Sequence, residues 1–395
     1  MEFHVPDVPL LKIFSFLDAF SLLQASQVNR CWNSVAENDQ LWRNLCLRKW
    51  SFCNFSLCLG SQTWKQFFLK QTRLEYRMAS VKPEDFIFKE ASGNLGILGP
   101  MAYLSGHGHT MDRQEKSVIC TVSSKHMLYA WDVQEVGNSE GDIYTLTVPE
   151  LRGVSKVSAF KYSVDLLHCS PDKKWIFASG THQNILPVVF LTESLLKPSE
   201  GKSPLSLSIP FPSCCRACWA PRRTGRITVM YRRGSFKKTG FTTFELMAER
   251  TGDRTDIQAH QIATFLLPLH MESPIWMGVG DGNMIVFESG PSLFLFTISG
   301  HLLQRFEDHQ RTIGNLWVDS VHVLTTSMDD SLHLYMWEEE GHYPYLRSCC
   351  HLEHLGSDPA PSCYVSKAVC DDMSIVCVVS RIRESSILVM YSLHM

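Results

Sequence analysis

Between Val5 and Trp50, apolar residues come too densely for a helix that packs on one side only. Leu10, Leu11, Ile13, Phe14, Phe16 and Leu17 point to nearly every side of a helical axis, whereas a surface helix needs a single apolar stripe. The surplus predicts two apolar contacts, one inside a short helical module and one beyond it. A module this small has a marginal core of its own, so each position serves either that core or a docking face. Ser61 to Ala79 predicts a further helix, with Ser61 as its cap and Trp64, Phe67, Phe68 and Leu74 at spacings near three and four. From about Phe86 the period changes to two, and runs of Val, Ile, Phe and Tyr alternate with Gly, Asp, Ser and Pro turns. Three units follow: a helical module over 1–50, a bracing helix over 51–85, and an all-β domain over 86–395.

The β region also repeats itself. Gly106-His107-Gly108-His109 precedes a strand pattern ending in Trp131-Asp132, and Cys169-Ser170-Pro171-Asp172 precedes a small-residue strand containing Ala178-Ser179-Gly180-Thr181. Asp308-His309 precedes VHVLTTSMDDSLHLYMW, with Asp329 at a tight turn and Tyr335 near the end. Weaker copies end near Phe244, Phe294 to Phe296, and Tyr391. These copies resemble WD repeats, with Tyr335 standing where the repeat's tryptophan would be. The resemblance implies a β-propeller of degenerate WD repeats with six or seven blades, since about 40–45 residues make one four-stranded blade. It also implies that His309, Ser327 and Asp329 hydrogen-bond across their blade. The fold class expected is thus α+β multidomain, a small all-α module followed by an all-β propeller. Asp132 to Thr145 is too polar for a full strand, which predicts an irregular or missing blade there.

The helical stretch carries its own signature. Pro6-Asp7, the run LLKIFSFLD from Leu10 to Asp18, Leu22 and Leu23, Val28-Asn29-Arg30 with Trp32, and Leu41-Trp42-Arg43 together resemble an F-box, the module that docks a substrate receptor onto a cullin-based ubiquitin ligase. Val5 and Val8-Pro9 depart from the family's opening pattern, but a proline in a first helical turn removes no intrahelical bond. The resemblance places Pro6, Leu10, Ile13, Phe14, Leu17, Leu22, Leu23, Val28 and Trp32 in or beside an interface with the ligase's S-phase-kinase-associated adaptor protein and, through it, a cullin. It implies a non-catalytic receptor of an SCF-type ligase whose propeller holds a protein target; a ligase-independent propeller scaffold is the alternative.

Composition narrows the partners. A formal charge of -3 exerts no global pull on nucleic acid or anionic membrane. No apolar run reaches the roughly 18 residues of a membrane-spanning helix, and the start lacks a secretory signal, so cytoplasm or nucleus is expected. The 14 cysteines are scattered through apolar strands, which predicts reduced, buried thiols and leaves Asn54-Phe55-Ser56 unglycosylated. Arg222, Arg223, Arg226, Arg232, Arg233, Lys237 and Lys238 fall together without an intervening acid. They read either as a site for a phosphorylated or acidic target segment or as a solvated hairpin. Cys214, Cys215 and Cys218, with Cys349, Cys350, His351 and His354, lack the paired spacing of a zinc site, and no metal or cofactor is expected. His107, His109 and Asp112 have no nucleophile beside them. Gly278 to Gly282 has neither the lysine nor the helix of a phosphate loop and reads as an Asp-Gly hairpin turn.

Overall fold

The computed structural model describes residues 7–50, 62–91, 98–109, 115–123, 134–137, 142–146, 153–161, 164–180, 185–196, 203–221, 223, 225–234, 238–251, 254–328, 331–338, 343–353, 363–370, 374–381 and 387–393. The chain divides into two compact units, one of residues 1–81 with 338–344, the other of residues 82–337 with 345–395.

The first unit is helical. Helices α1 (Asp7–Phe14), α2 (Ala19–Ala25), α3 (Arg30–Ala36), α4 (Asp39–Lys49) and α5 (Trp64–Ser80) follow one another. Short polar residues set their starts: the side chains of Asp18, Asn29 and Asn38 accept from the backbone N–H of Ser21, Trp32 and Gln40. Pro9 is the third residue of α1, where its missing N–H removes no bond. The helix at 61–79 starts later than its sequence suggests. Ser61 lies outside the described residues, and Thr63 with Gln66 forms a capping box. Trp64, Phe67 and Phe68 of α5 enter the same core as Leu10, Phe14, Leu22, Leu41, Trp42 and Trp50. The bracing helix therefore completes the helical core, and Trp42 meets Phe68 edge to face at 5.6 Å.

The second unit is a β-propeller with seven sheets described. In chain order the first holds Leu98–His109 and Glu115–Ser123, and the second holds Gln134–Gly137, Asp142–Leu146 and Gly153–Ser158. The third holds Val164–Cys169, Trp175–Gly180, Val188–Leu191 and Ser206–Ser208; the fourth Cys214–Trp219, Arg226–Arg233, Lys238–Thr251 and Arg254–Leu266. The fifth holds Met277–Gly280, Met284–Ser289, Ser292–Thr297 and Leu302–Phe306; the sixth Ile313–Val318, His322–Ser327, Ser331–Glu338 and Tyr345–Glu353. The seventh takes three strands from the end of the chain, Cys363–Cys370, Ser374–Arg381 and Ile387–Leu393, and its fourth, Phe86–Ala91, from the beginning. Phe86 pairs antiparallel with Leu393 and Ala91 with Leu388, so backbone hydrogen bonds close the ring. Phe190, Phe244, Phe294 to Phe296, Tyr335 and Tyr391 all lie on the third strand of their sheets. The polar stretch at 132–145 contributes two short strands to the second sheet, Gln134 pairing with Leu146; ladder bonds need only backbone groups, so polarity does not exclude it.

Both faces of an inner sheet are buried. In Met284–Ser289, Ile285 and Phe287 pack toward the fourth sheet while Met284 and Val286 pack toward the sixth. In Trp175–Gly180, Trp175 and Phe177 face the fourth sheet, Ile176 and Ala178 the second. Alternation thus separates two buried faces, and such strands read as apolar throughout. Close approach between sheets also explains two glycines. A Cβ at Gly278 would lie 2.2 Å from Val318 Cγ2, and one at Gly280 would lie 2.7 Å from the Trp337 ring. The left-handed residue of the following turn is Asn283, with φ 63°, and not the expected Asp-Gly pair. Gly278→Ala should lower unfolding free energy by roughly 1–3 kcal/mol through overpacking, read by denaturant titration; an unchanged midpoint would contradict this tight packing.

Candidate functional site

The residues on the F-box-like stretch separate by burial. Leu10, Phe14 and Leu22 are 1–2% exposed and fill the helical core, and Leu17, Leu23 and Trp32 pack partly buried against it. Trp32 meets Phe14 edge to face at 5.4 Å. Ile13 and Val28 are instead 55% and 59% exposed, and with them stand Val8 at 79%, Phe16 at 74% and Phe20 at 68%. Pro6 lies outside the described residues. Phe16 and Phe20 are absent from the sequence-derived set, although the sequence places them four apart around the Asp18 cap of α2. Phe16 follows the end of α1 and Phe20 is the second residue of α2, so no single helical stripe reveals the pair. Lone exposed apolar side chains are ordinary; here two phenylalanines with Ile13, Val8 and Val28 are exposed together on one small helical unit.

Among the described residues the basic run is spread along one strand and its partner. Arg226 and Arg233 are the ends of an eight-residue strand, about 23 Å apart at the rise of a β-strand. Arg226 donates to Glu245 Oε2 at 2.7 Å and to Asn283 Oδ1. Arg232 donates to Thr239 Oγ1 and, at 2.8 Å, to the Pro274 carbonyl. Burial lowers the Arg223 guanidinium, reinforced by the nearby charge of Arg226. Arg233 is exposed and pairs in register with Lys238, which is half-buried; Arg222 and Lys237 lie outside the described residues. Arg226 and Arg232 are thus occupied in holding the fourth sheet.

A different group of cations faces inward. Arg216 lies on the innermost strand of the fourth sheet, in the run CCRACW. Its Nε donates to the Ile275 carbonyl at 3.0 Å, and its guanidinium stacks 4.1 Å over the Trp276 ring. Burial and then the Arg216 charge lower both His168, on the innermost strand of the third sheet, and Lys367, on that of the seventh. Among the described residues no acid forms an ion pair with Arg216 or Lys367. The signal in the sequence was a charge inside an apolar strand.

The histidine of the clearest repeat binds across its blade. His309 Nε2 and Thr325 Oγ1 are 2.7 Å apart, and His309 Nδ1 and Ser331 Oγ are 2.8 Å apart. Tyr335 Oη donates to Asp308 Oδ2 at 2.8 Å. Ser327 Oγ donates to the carbonyls of Arg311 and Thr312. Asp329 lies outside the described residues, as do Trp131, Asp132, Thr181, Asp112, His354 and the Asn54-Phe55-Ser56 stretch. The side chains of His107 and His109 are likewise outside the described set. Cys214, Cys215 and Cys218 sit in the fourth sheet, Cys349, Cys350 and His351 in the sixth, and the fifth sheet separates them. Burial pushes the Cys218 and Cys350 thiols up to about 11, which keeps them protonated. Among the described residues no helix is long and apolar enough to cross a membrane.

A small helical unit with an open apolar face, joined in one chain to a WD-type propeller, defines a two-part interaction protein. Residues 3–48 match the F-box-like family model. Over the whole of both chains the protein is 48% identical to human F-box/WD repeat-containing protein 12. It is 32% identical to mouse F-box/WD repeat-containing protein 15, covering all of this chain and 99% of the relative. The solved β-propeller domain of Cps50 (Swd1) from Myceliophteria thermophila is similar over 67% of this chain and 93% of that one, with 8% identity and a TM-score of 0.42. The chain belongs to the F-box/WD-repeat protein family. Proteins of this family are typically non-catalytic adaptors, and an F-box generally binds the S-phase-kinase-associated adaptor and, through it, a cullin.

Proposed function

We propose that this protein is the substrate-receptor subunit of an SCF-type cullin ubiquitin ligase, with the helical unit binding the adaptor and the propeller binding the target. The observation that carries this reading is the exposure of the apolar side chains of Ile13, Phe16, Phe20 and Val28 on an F-box-like unit. Such a face concentrates binding energy in a few aromatic and aliphatic anchors. The chain performs no bond chemistry. It raises the effective concentration of target lysines at the cullin-bound enzyme, and tethering of this kind reaches the millimolar range for short links. A target segment bearing phosphate or carboxylate groups suits Arg216 and Lys367, which have no ion-pair partner among the described residues; the fork of Arg216 is held by Ile275 and Trp276. The working compartment is cytoplasm or nucleus.

Affinity purification tests the reading. The intact chain should bring down the adaptor, a cullin and targets, while a Phe16→Asp/Phe20→Asp chain should keep the targets and lose both ligase components. Adaptor bound without any cullin would favour a scaffold that works apart from the ligase, and adaptor retained by the double variant would refute the assigned face.

A further inference from the structure

The turn joining the first two strands of the sixth sheet carries Asp319 and His322, and the innermost strand of the seventh sheet ends on Cys370. Their donor atoms, a carboxylate oxygen, an imidazole nitrogen and a thiol sulfur, all lie within 4.8 Å of one another. Asp319 Oδ2 is 3.4 Å from His322 Nδ1 and 3.9 Å from Cys370 Sγ. A tetrahedral zinc ion with bonds of roughly 2.0–2.3 Å has donor-to-donor edges of about 3.3–3.8 Å, so the three atoms already stand near that spacing.

The surroundings orient the carboxylate as an outer shell would. Asp319 Oδ1 accepts from the backbone N–H groups of Val321 and His322 at 2.7 and 2.6 Å. This fixes the group so that Oδ2 faces the imidazole and the thiol, and the Trp317 indole N–H approaches Oδ2 at 3.3 Å. His322 and Cys370 are buried, while the Asp319 side chain is 28% exposed. Solvent therefore reaches one side of the group, where water would complete four-coordination. Mixed oxygen, nitrogen and sulfur donors with a thiolate suit zinc and disfavour magnesium or calcium.

We propose that Asp319, His322 and Cys370 form a zinc site that ties the sixth sheet to the seventh, the sheet completed by Phe86–Ala91. The site escapes a search for paired ligands because Cys370 is far along the chain from the other two. Without the ion the same atoms meet through a long S···O contact and a 3.4 Å N···O contact. The ion would replace these with bonds across two neighbouring sheets, at the inner end of the sheet that closes the ring.

The test uses the full chain, stripped with chelator and titrated with Co²⁺ as a probe and then with Zn²⁺. One equivalent of Co²⁺ should bind with a thiolate-to-cobalt charge-transfer absorption, and Zn²⁺ should displace it. Cys370→Ser should abolish that absorption although the other cysteines remain, and Asp319→Asn should weaken binding by about tenfold or more. Zn²⁺ should raise the Tm of the parent but not of Asp319→Asn, which keeps an oxygen acceptor for the turn. If Cys370→Ser does not fold, His322→Gln is read by the same titration. Sub-stoichiometric Co²⁺, an absorption that survives Cys370→Ser, or equal Zn²⁺ stabilisation of parent and Asp319→Asn would overturn the proposal.

Discussion

Aspartate at Phe16 or at Phe20 is expected to weaken adaptor binding on the order of a hundredfold or more, while leaving the helical unit folded. Both rings are largely solvent-exposed, so a charge there costs the isolated unit little. In the complex it would have to be buried without a partner at the centre of an apolar contact, where truncation of single anchors typically removes about 2–4 kcal/mol. Ile13→Asp should behave in the same way. Leu10→Asp should not: Leu10 is 2% exposed in the shared core, and a carboxylate there disrupts the fold, abolishing binding indirectly. Titration calorimetry against the adaptor, paired with a circular-dichroism melt of each variant, separates the two. Full affinity in Phe16→Asp and Phe20→Asp would remove these residues from the interface.

The stability of the propeller should carry a histidine signature in mild acid. His333 is 6% exposed and lies between two other imidazoles, with ring centroids 4.6 Å from His309 and 4.1 Å from His351. Burial, and then the charges its two neighbours would carry, lower it to about 4 against the counteracting Asp308. The unfolded chain has the ordinary value of 6.5, so below that pH it binds a proton that the folded state refuses. The stabilisation is complete above about pH 6.5 and is lost progressively toward pH 4, by roughly 2–3 kcal/mol in all. Glu288 acts in the opposite direction. Burial lifts it to about 7 despite the amides of Ile275 and Trp276, so its contribution improves as pH falls from 7 toward its unfolded value. A plain pH profile therefore mixes the two, and the informative quantity is the difference between the parent and His333→Gln. That difference, from urea titrations at several pH values, should shrink from pH 7 to pH 4. A difference independent of pH would mean that His333 is protonated equally in both states.

The apolar density of Leu10 to Leu17 already predicted a core with apolar residues to spare, and five of the six recurrences ending near aromatic residues mark third strands of a propeller, the copy ending at Trp131 lying outside the described residues. What stayed hidden was the assignment of each position to one role. Leu10 and Ile13 look alike on paper; α1 turns the first inward and leaves the second in solvent. The basic run from Arg222 to Lys238 looked like a cluster because it is contiguous in the chain, yet an extended strand carries Arg226 and Arg233 apart, Glu245 pairs with Arg226, and Arg232 is held by Thr239 and the Pro274 carbonyl. The charge of Arg216 reaches Lys367, about a third of the chain away, because innermost strands of different sheets converge.

By itself the sequence determined the local things: a dense helical stretch before Trp50 and a further helix after it, the switch from a helical to a strand period, and the repeating turns that space out the sheets. These follow from backbone preferences and from capping within a few residues. Only the tertiary structure decided that α5 completes the helical core, that Phe86–Ala91 returns to close the ring, that His309 bonds Thr325 and Ser331, and that Asp319, His322 and Cys370 meet. Each of these depends on segments distant in the chain being brought together by burial of apolar faces, which pattern and spacing along a single chain do not specify.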